Sequence, residues 1–135
     1  MASPQPVRLS LPAEPGSVRI ARLVAAGVAT DAGLSIDDAE DLRIAVSELV
    51  ALLIEGTDDP TCTAEITYRR SPGQVEVGGE ISLASAGSPG ASAGAEAPTD
   101  DLALEILRVV VDEHGFEANG DIRRFHLVKR ARTPT

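Results

Sequence analysis

The segment from Ser35 to Gly56 limits the possible folds most. Leu42, Val46, Leu49 and Leu53, together with Ala39, recur at the three-and-four spacing of one helix face. Ser35 stands three residues before Asp38, a capping box with Asp in place of the usual Glu. Asp37, Asp38, Glu40 and Asp41 crowd the first turn, where the helix dipole favours negative charge, and Gly56 is a natural stop. A helix of this kind must lay its stripe against a second layer of structure.

The flanking segments supply that layer. Val7, Leu9 and Leu11 alternate with Arg8 and Ser10, the mark of a half-buried strand, and Pro12 ends it. Pro15, with Glu14 and Ser17 nearby, starts a helix that runs from Ser17 to Ala32 and stops at Gly33. Its expected apolar stripe is Ile20, Leu23, Val24 and Val28. Beyond the Asp58-Asp59-Pro60 turn, Cys62, Ala64, Ile66 and Tyr68 alternate with polar residues as a second strand. Ser71-Pro72-Gly73 turns the chain into a third, carrying Val75, Val77, Ile81 and Leu83, where Gly78-Gly79 implies a bulge or weak pairing. A last helix from Asp100 or Asp101 has Leu102, Ile106, Val109 and Val110 as its stripe and is closed by His114-Gly115. Phe116–Ala118, Asn119-Gly120 and Ile122–Val128 read as a terminal hairpin.

The order predicts an α+β fold: a two-layer sandwich with helices on one face of a mixed or antiparallel sheet. Residues 1–6 read as a disordered lead-in, 7–130 as a single domain and 131–135 as a tail. Residues 84–99, ASAGSPGASAGAEAPT, hold almost no bulky side chain and cannot bury enough apolar area to offset their ordering entropy, so they read as a flexible loop within the domain.

Aromatic residues make up only 2% of the chain, so the core must be aliphatic and base-stacking platforms have almost no material. The net charge of −9 repels phosphate backbones, which argues against nucleic acid as a direct partner. Arg123, Arg124, Lys129, Arg130 and Arg132 gather near the end and read as a solvated strand edge and tail. Cys62, the single cysteine, is expected in the core. His114 and His126 lack a ligand cluster at metal spacing, so no metal site is expected. With neither a signal peptide nor a membrane span, a cytoplasmic protein is expected.

Three stretches carry a resemblance. Glu40-Asp41-Leu42-Arg43-Ile44-Ala45-Val46-Ser47-Glu48-Leu49-Val50 is the best of them; the others are Pro12-x-Glu14-Pro15 followed by Val18 and Ala21-Arg22-Leu23, and Phe125-x-Leu127-Val128-Lys129-Arg130. In this order they resemble the anti-sigma factor serine kinases with a histidine-kinase-like ATPase fold, over Val7 to Arg130. The resemblance implies a partner-binding surface on the first helix, with Arg22, Glu14 and Arg19 as the expected partner-binding residues. It makes Glu48 the counterpart of the base that deprotonates the target serine.

The chain departs from the family's pattern where nucleotide would bind. The family's metal-holding Asn, four residues after Glu48, is Leu52, which has no oxygen to offer a hard cation. The family's adenine-binding Asp falls in Glu80-Ile81-Ser82-Leu83-Ala84, where Glu80 is the only acid. Its phosphate-cradling Gly-x-Gly is replaced at Asp101 and Ala103, and Asp101 sets a carboxylate against phosphate. The expectation is an anti-sigma factor with no cofactor, partnered by an RNA polymerase sigma factor and an anti-sigma-factor antagonist, and a homodimer by family likeness. An active serine kinase of the antagonist and a scaffold with another protein partner are the alternatives.

Overall fold

The structure is a computed structural model and describes residues 4–57, 59, 61–83 and 101–132. The elements are β1 (Val7–Pro12), α1 (Gly16–Asp31), α2 (Ile36–Ile54), β2 (Thr63–Ser71), β3 (Gln74–Ser82), α3 (Asp101–Val110), β4 (Glu113–Asn119) and β5 (Ile122–Arg130). The strands form one sheet in the order β1-β2-β3-β5-β4, and every neighbouring pair is antiparallel. The helices cover one face and the other is open, so the architecture is the expected two-layer α+β sandwich. Residues 84–99, expected as a flexible loop, lie outside the described residues. Of the lead-in, residues 4–6 precede β1 without regular structure.

Helix α2 sits centrally, as its stripe demands. The Asp38 N–H donates to Ser35 Oγ at 3.1 Å, closing the cap, and Leu42, Val46, Leu49 and Leu53 are fully buried. Strand alternation places Ala64, Ile66 and Tyr68 of β2 and Val75, Val77 and Ile81 of β3 beneath the helices, with Cys62 buried beside them.

Four sequence expectations are corrected. First, α1 does not bury Ile20 and Leu23, which are 47% and 72% exposed; it buries Ser17, Ala21, Ala25, Val28 and Ala29. This face of small residues packs chiefly on α2, and the buried Tyr68 hydroxyl reaches up from the sheet to donate to the Ala21 carbonyl at 2.7 Å. Second, α3 buries Ala103, Leu107 and Val110 rather than Leu102 and Val109, and it ends at Val110, so His114 and Gly115 belong to β4. Gly115 suits that strand because the His126 imidazole occupies the space where its side chain would stand. Third, Gly78 and Gly79 interrupt nothing: both pair in register with β2 and β5. Gly79 leaves room for the buried Phe125 ring, which a methyl group would overlap.

The fourth correction concerns the basic cluster. Arg123 and Lys129 are not solvated; they are 6% and 4% exposed, at the two ends of the inner face of β5. The Arg123 guanidinium donates to the carbonyls of Leu53 at 3.1 Å and Glu55 at 2.7 Å, satisfying the open end of α2. Lys129 Nζ donates to the Val110 carbonyl at 2.9 Å, closing α3 in the same way, and pairs with Asp41 at 3.3 Å and Asp38 at 3.6 Å. Arg132 adds a backbone bond to Asp38 at 3.0 Å and an ion pair to Asp41 at 2.7 Å, so the start of the expected tail is tied to the first turn of α2.

Burial pushes the Asp38 carboxyl up. The Arg132 N–H, the Ser35 hydroxyl and the Lys129 and Arg132 cations outweigh it and hold the group below the usual carboxylate range. Because the folded value is the lower one, this stabilisation is present above the unfolded value of about 3.9 and is lost as pH falls through the folded value. Urea midpoints measured down through pH 4 to 2 should therefore fall less steeply for Asp38→Asn than for wild type, from a lower starting point.

The two strand glycines should separate cleanly. Gly79→Ala should cost about 1–3 kcal/mol as Phe125 is displaced. At Gly78 an added methyl meets only the Phe125 carbonyl oxygen at 3.8 Å, an ordinary contact. Gly78→Ala should be neutral or stabilise by about 0.4–1 kcal/mol through the unfolded chain. Denaturant midpoints with unchanged slope check both.

Candidate functional site

Helix α1 reaches the surface through its own periodicity. Ala21, Ala25, Val28 and Ala29 face the core, which turns Ile20, Leu23 and Gly27 to the opposite side, on one line of the helix. Arg19 is exposed beside this ridge and Arg22 is half-buried at its flank. Glu14 is exposed at the entry to the helix, where the Ser17 hydroxyl donates to the Pro12 carbonyl at 2.6 Å and fixes the turn out of β1. Of the expected partner-binding residues, Arg19 and Arg22 thus border one surface and Glu14 stands at its N-terminal end. Ile20 and Leu23, assigned to the core from sequence, are the exposed apolar part of that surface. The signal that could have found them is the competing alanine stripe Ala21, Ala25 and Ala29, four residues apart.

The positions matched to nucleotide binding lie on α2, β3 and α3. Glu48 is half-buried on α2. Leu52, one turn further on, is 6% exposed and belongs to the core with Leu49 and Leu53. Glu80 stands on the open face of the sheet, away from the helices, because Ile81 takes the inward place beside it. There it accepts a bond from Arg124 Nε at 2.7 Å, and this pairing raises the Arg124 pKa. Asp101 is exposed in the first turn of α3, and Ala103 is buried. The fold therefore does not bring Glu80 to the side of the sheet that carries Glu48, Leu52 and Asp101.

The open sheet face forms a shallow trough. Its floor is Gly78, with Glu65, Glu80 and Arg124 along one side and Arg69, Glu76 and Val128 along the other. Its charges are mixed, as on the solvated face of an antiparallel sheet. Among the described residues there is no cluster of His, Cys, Asp and Glu that could hold a metal ion, and no helix is long and apolar enough to cross a membrane.

Residues 11–124 match the family model of the histidine kinase-like ATPase domain. The serine-protein kinase RsbW of Bacillus velezensis is 38% identical over 63 residues, which span 47% of this chain and 39% of that protein. The serine-protein kinase RsbW of Listeria monocytogenes is 41% identical over 63 residues, 44% of this chain and 40% of that protein. The matches thus span about two-fifths of the length of these relatives. The crystal structure of the RsbU and RsbW domains of a Mycobacterium tuberculosis protein superposes with a TM-score of 0.69 over 98% of this chain and 35% of that chain, at 17% identity, a likeness of fold.

Burial of Leu52 has a measurable consequence. Leu52→Asn removes an aliphatic side chain from the core and puts an amide in its place, a loss of about 3–5 kcal/mol. Urea unfolding should show it as a lowered midpoint. A midpoint equal to that of wild type would mean that the side chain faces water.

Proposed function

Since the chain belongs to the histidine kinase-like ATPase domain family, we propose that it is an anti-sigma factor that holds an alternative sigma factor on the outward face of α1, yields it to an antagonist protein, and does so without ATP. The observation that carries this is the ridge of Ile20 and Leu23, large aliphatic side chains in water on one helix line, with Arg19 and Arg22 beside it. Adjacent exposed aliphatics bordered by charge are what a protein-binding surface offers. The arginines stand out in a chain of net charge −9, and charge of this kind sets register and partner choice.

The residues present do not suit Mg²⁺ and nucleotide. Leu52 offers hydrocarbon, and is packed into the core, where a hard cation needs oxygen. Asp101 would set negative charge against phosphate, and Glu80 is held on the far face by Arg124. The names of the RsbW relatives favour a second reading, a serine kinase acting on the antagonist with Glu48 as base. In that case the nucleotide would have to be held by other groups. A homodimer, as the family resemblance implies, belongs to the proposal.

Two titrations decide between these readings. ATP or ADP with Mg²⁺ should give no saturable heat at sub-millimolar concentration; micromolar affinity would establish the kinase reading instead. Purified sigma factors of the source organism, titrated one at a time, should include one that binds. Arg22→Glu should weaken that complex by about tenfold or more while leaving the urea midpoint in place. Unchanged affinity would remove Arg22 from the surface, and a lowered midpoint would mark it as structural.

A further inference from the structure

Gly27 stands on the same line of α1 as Ile20 and Leu23, in the interior of the helix and exposed. Among residues in a helix interior, only proline is less favourable than glycine. Among the described residues nothing calls for it there. Its φ is not among the positive values found at Gly33, Gly56, Gly73 and Gly120, so any L-residue could adopt its conformation. A methyl group built on it meets no atom within 4 Å. Gly79 and Gly115, by contrast, are each filled by a neighbouring ring. Gly27 leaves a notch in the outward ridge, one to two turns beyond the two exposed aliphatics.

We propose that Gly27 is a specificity-determining notch, where the backbone of a partner helix crosses α1 at close range. The inference rests on the anti-sigma reading and deepens it by stating what the partner presents. How near two helices approach is set by the side chains at the crossing, and glycine allows the closest approach. The occupant is an amphipathic helix. Its apolar stripe lies on Ile20 and Leu23, a small residue or bare backbone lies over Gly27, and acidic side chains reach Arg19 and Arg22. Charge complementarity selects that partner: Asp31, the acid within this helix, is paired with Arg70 at 3.1 Å, and Glu14 stands before the helix begins, so Arg19 and Arg22 are the charges beside the ridge itself. A second copy of this acidic chain, with the same arginines facing its own, is the poorer match.

The test uses Gly27→Ala and Gly27→Leu in the full chain, against the sigma factor that the wild type binds, by calorimetry and thermal melting. The notch predicts opposite signs for the two readouts. Gly27→Ala should raise the melting temperature by about 3–5 °C, because a better helix former replaces glycine without a clash. It should nevertheless bind more weakly, and Gly27→Leu should lose about tenfold or more in affinity while staying folded, since overpacking at the crossing separates the helices. A Gly27→Leu variant that binds as tightly as wild type overturns the inference alone. So does a melting temperature that falls in Gly27→Ala, which would place an intramolecular contact at the site. So does conversion of a wild-type dimer to monomer with sigma affinity unchanged, which would assign the notch to a second copy. A wild-type chain that binds none of the sigma factors overturns the anti-sigma reading, and the inference with it.

Discussion

The inner face of β5 ties the two layers together. Along it the chain alternates Arg123, Phe125, Leu127 and Lys129, all buried. The aromatic and aliphatic pair packs into the core, and the cations at either end close the C-termini of α2 and α3 through their last carbonyls. A helix end carries unsatisfied acceptors and partial negative charge, so a buried cation there satisfies both at once. Each cation would be costly if left alone in the core. Each is therefore a strong condition on where the helices can lie: move α2 or α3 by one turn and a charge loses its acceptors.

The first turn of α2 completes this arrangement. Asp38 closes the Ser35 cap through its N–H, and its carboxylate is the buried counter-ion of Lys129 and Arg132. Local capping chemistry and a contact spanning most of the chain's length thus meet in one residue. The helical layer is anchored over the sheet at a point where the chain's end returns to its middle. Helix α1, by contrast, is held by small residues and one phenol. Its buried face packs chiefly on α2 and also on the sheet, which leaves Ile20 and Leu23 on the side turned to water. The exposed ridge is thus a consequence of the packing rather than a separate feature added to it.

Much of the fold was legible in the sequence. The order of elements, the central helix with its cap, the alternation of β1 and β2 and the terminal hairpin all follow from period and turn chemistry. The failures share one cause. Ile20, Leu23, Leu102 and Val109 were assigned inward because large aliphatics are normally buried, while the alanines that actually face the core carry a weaker signal. The Gly78-Gly79 pair suggested a bulge because a missing side chain looks like weakness; it is instead space for Phe125. Arg123 and Lys129 looked solvated because cations usually are. For the candidate site, Arg19 and Arg22 come from the resemblance, whereas the exposure of Ile20, Leu23 and Gly27 emerges only when the buried face of α1 is known. Glu80 was in sequence reach of the nucleotide positions, but the pleat turns it to the other side of the sheet.

By itself the sequence determined which segments are helices and strands and the α+β class, since hydrophobic period and capping are local properties of the chain. Tertiary structure alone decided which of two apolar faces each outer helix buries and which charges go inside. Periodicity defines a helix's faces relative to one another but does not say which meets the sheet. That choice depends on what each face meets, here α2 against the alanines of α1, a tyrosine hydroxyl reaching the Ala21 carbonyl, and cations on β5 that can be buried only where helix ends stand above them.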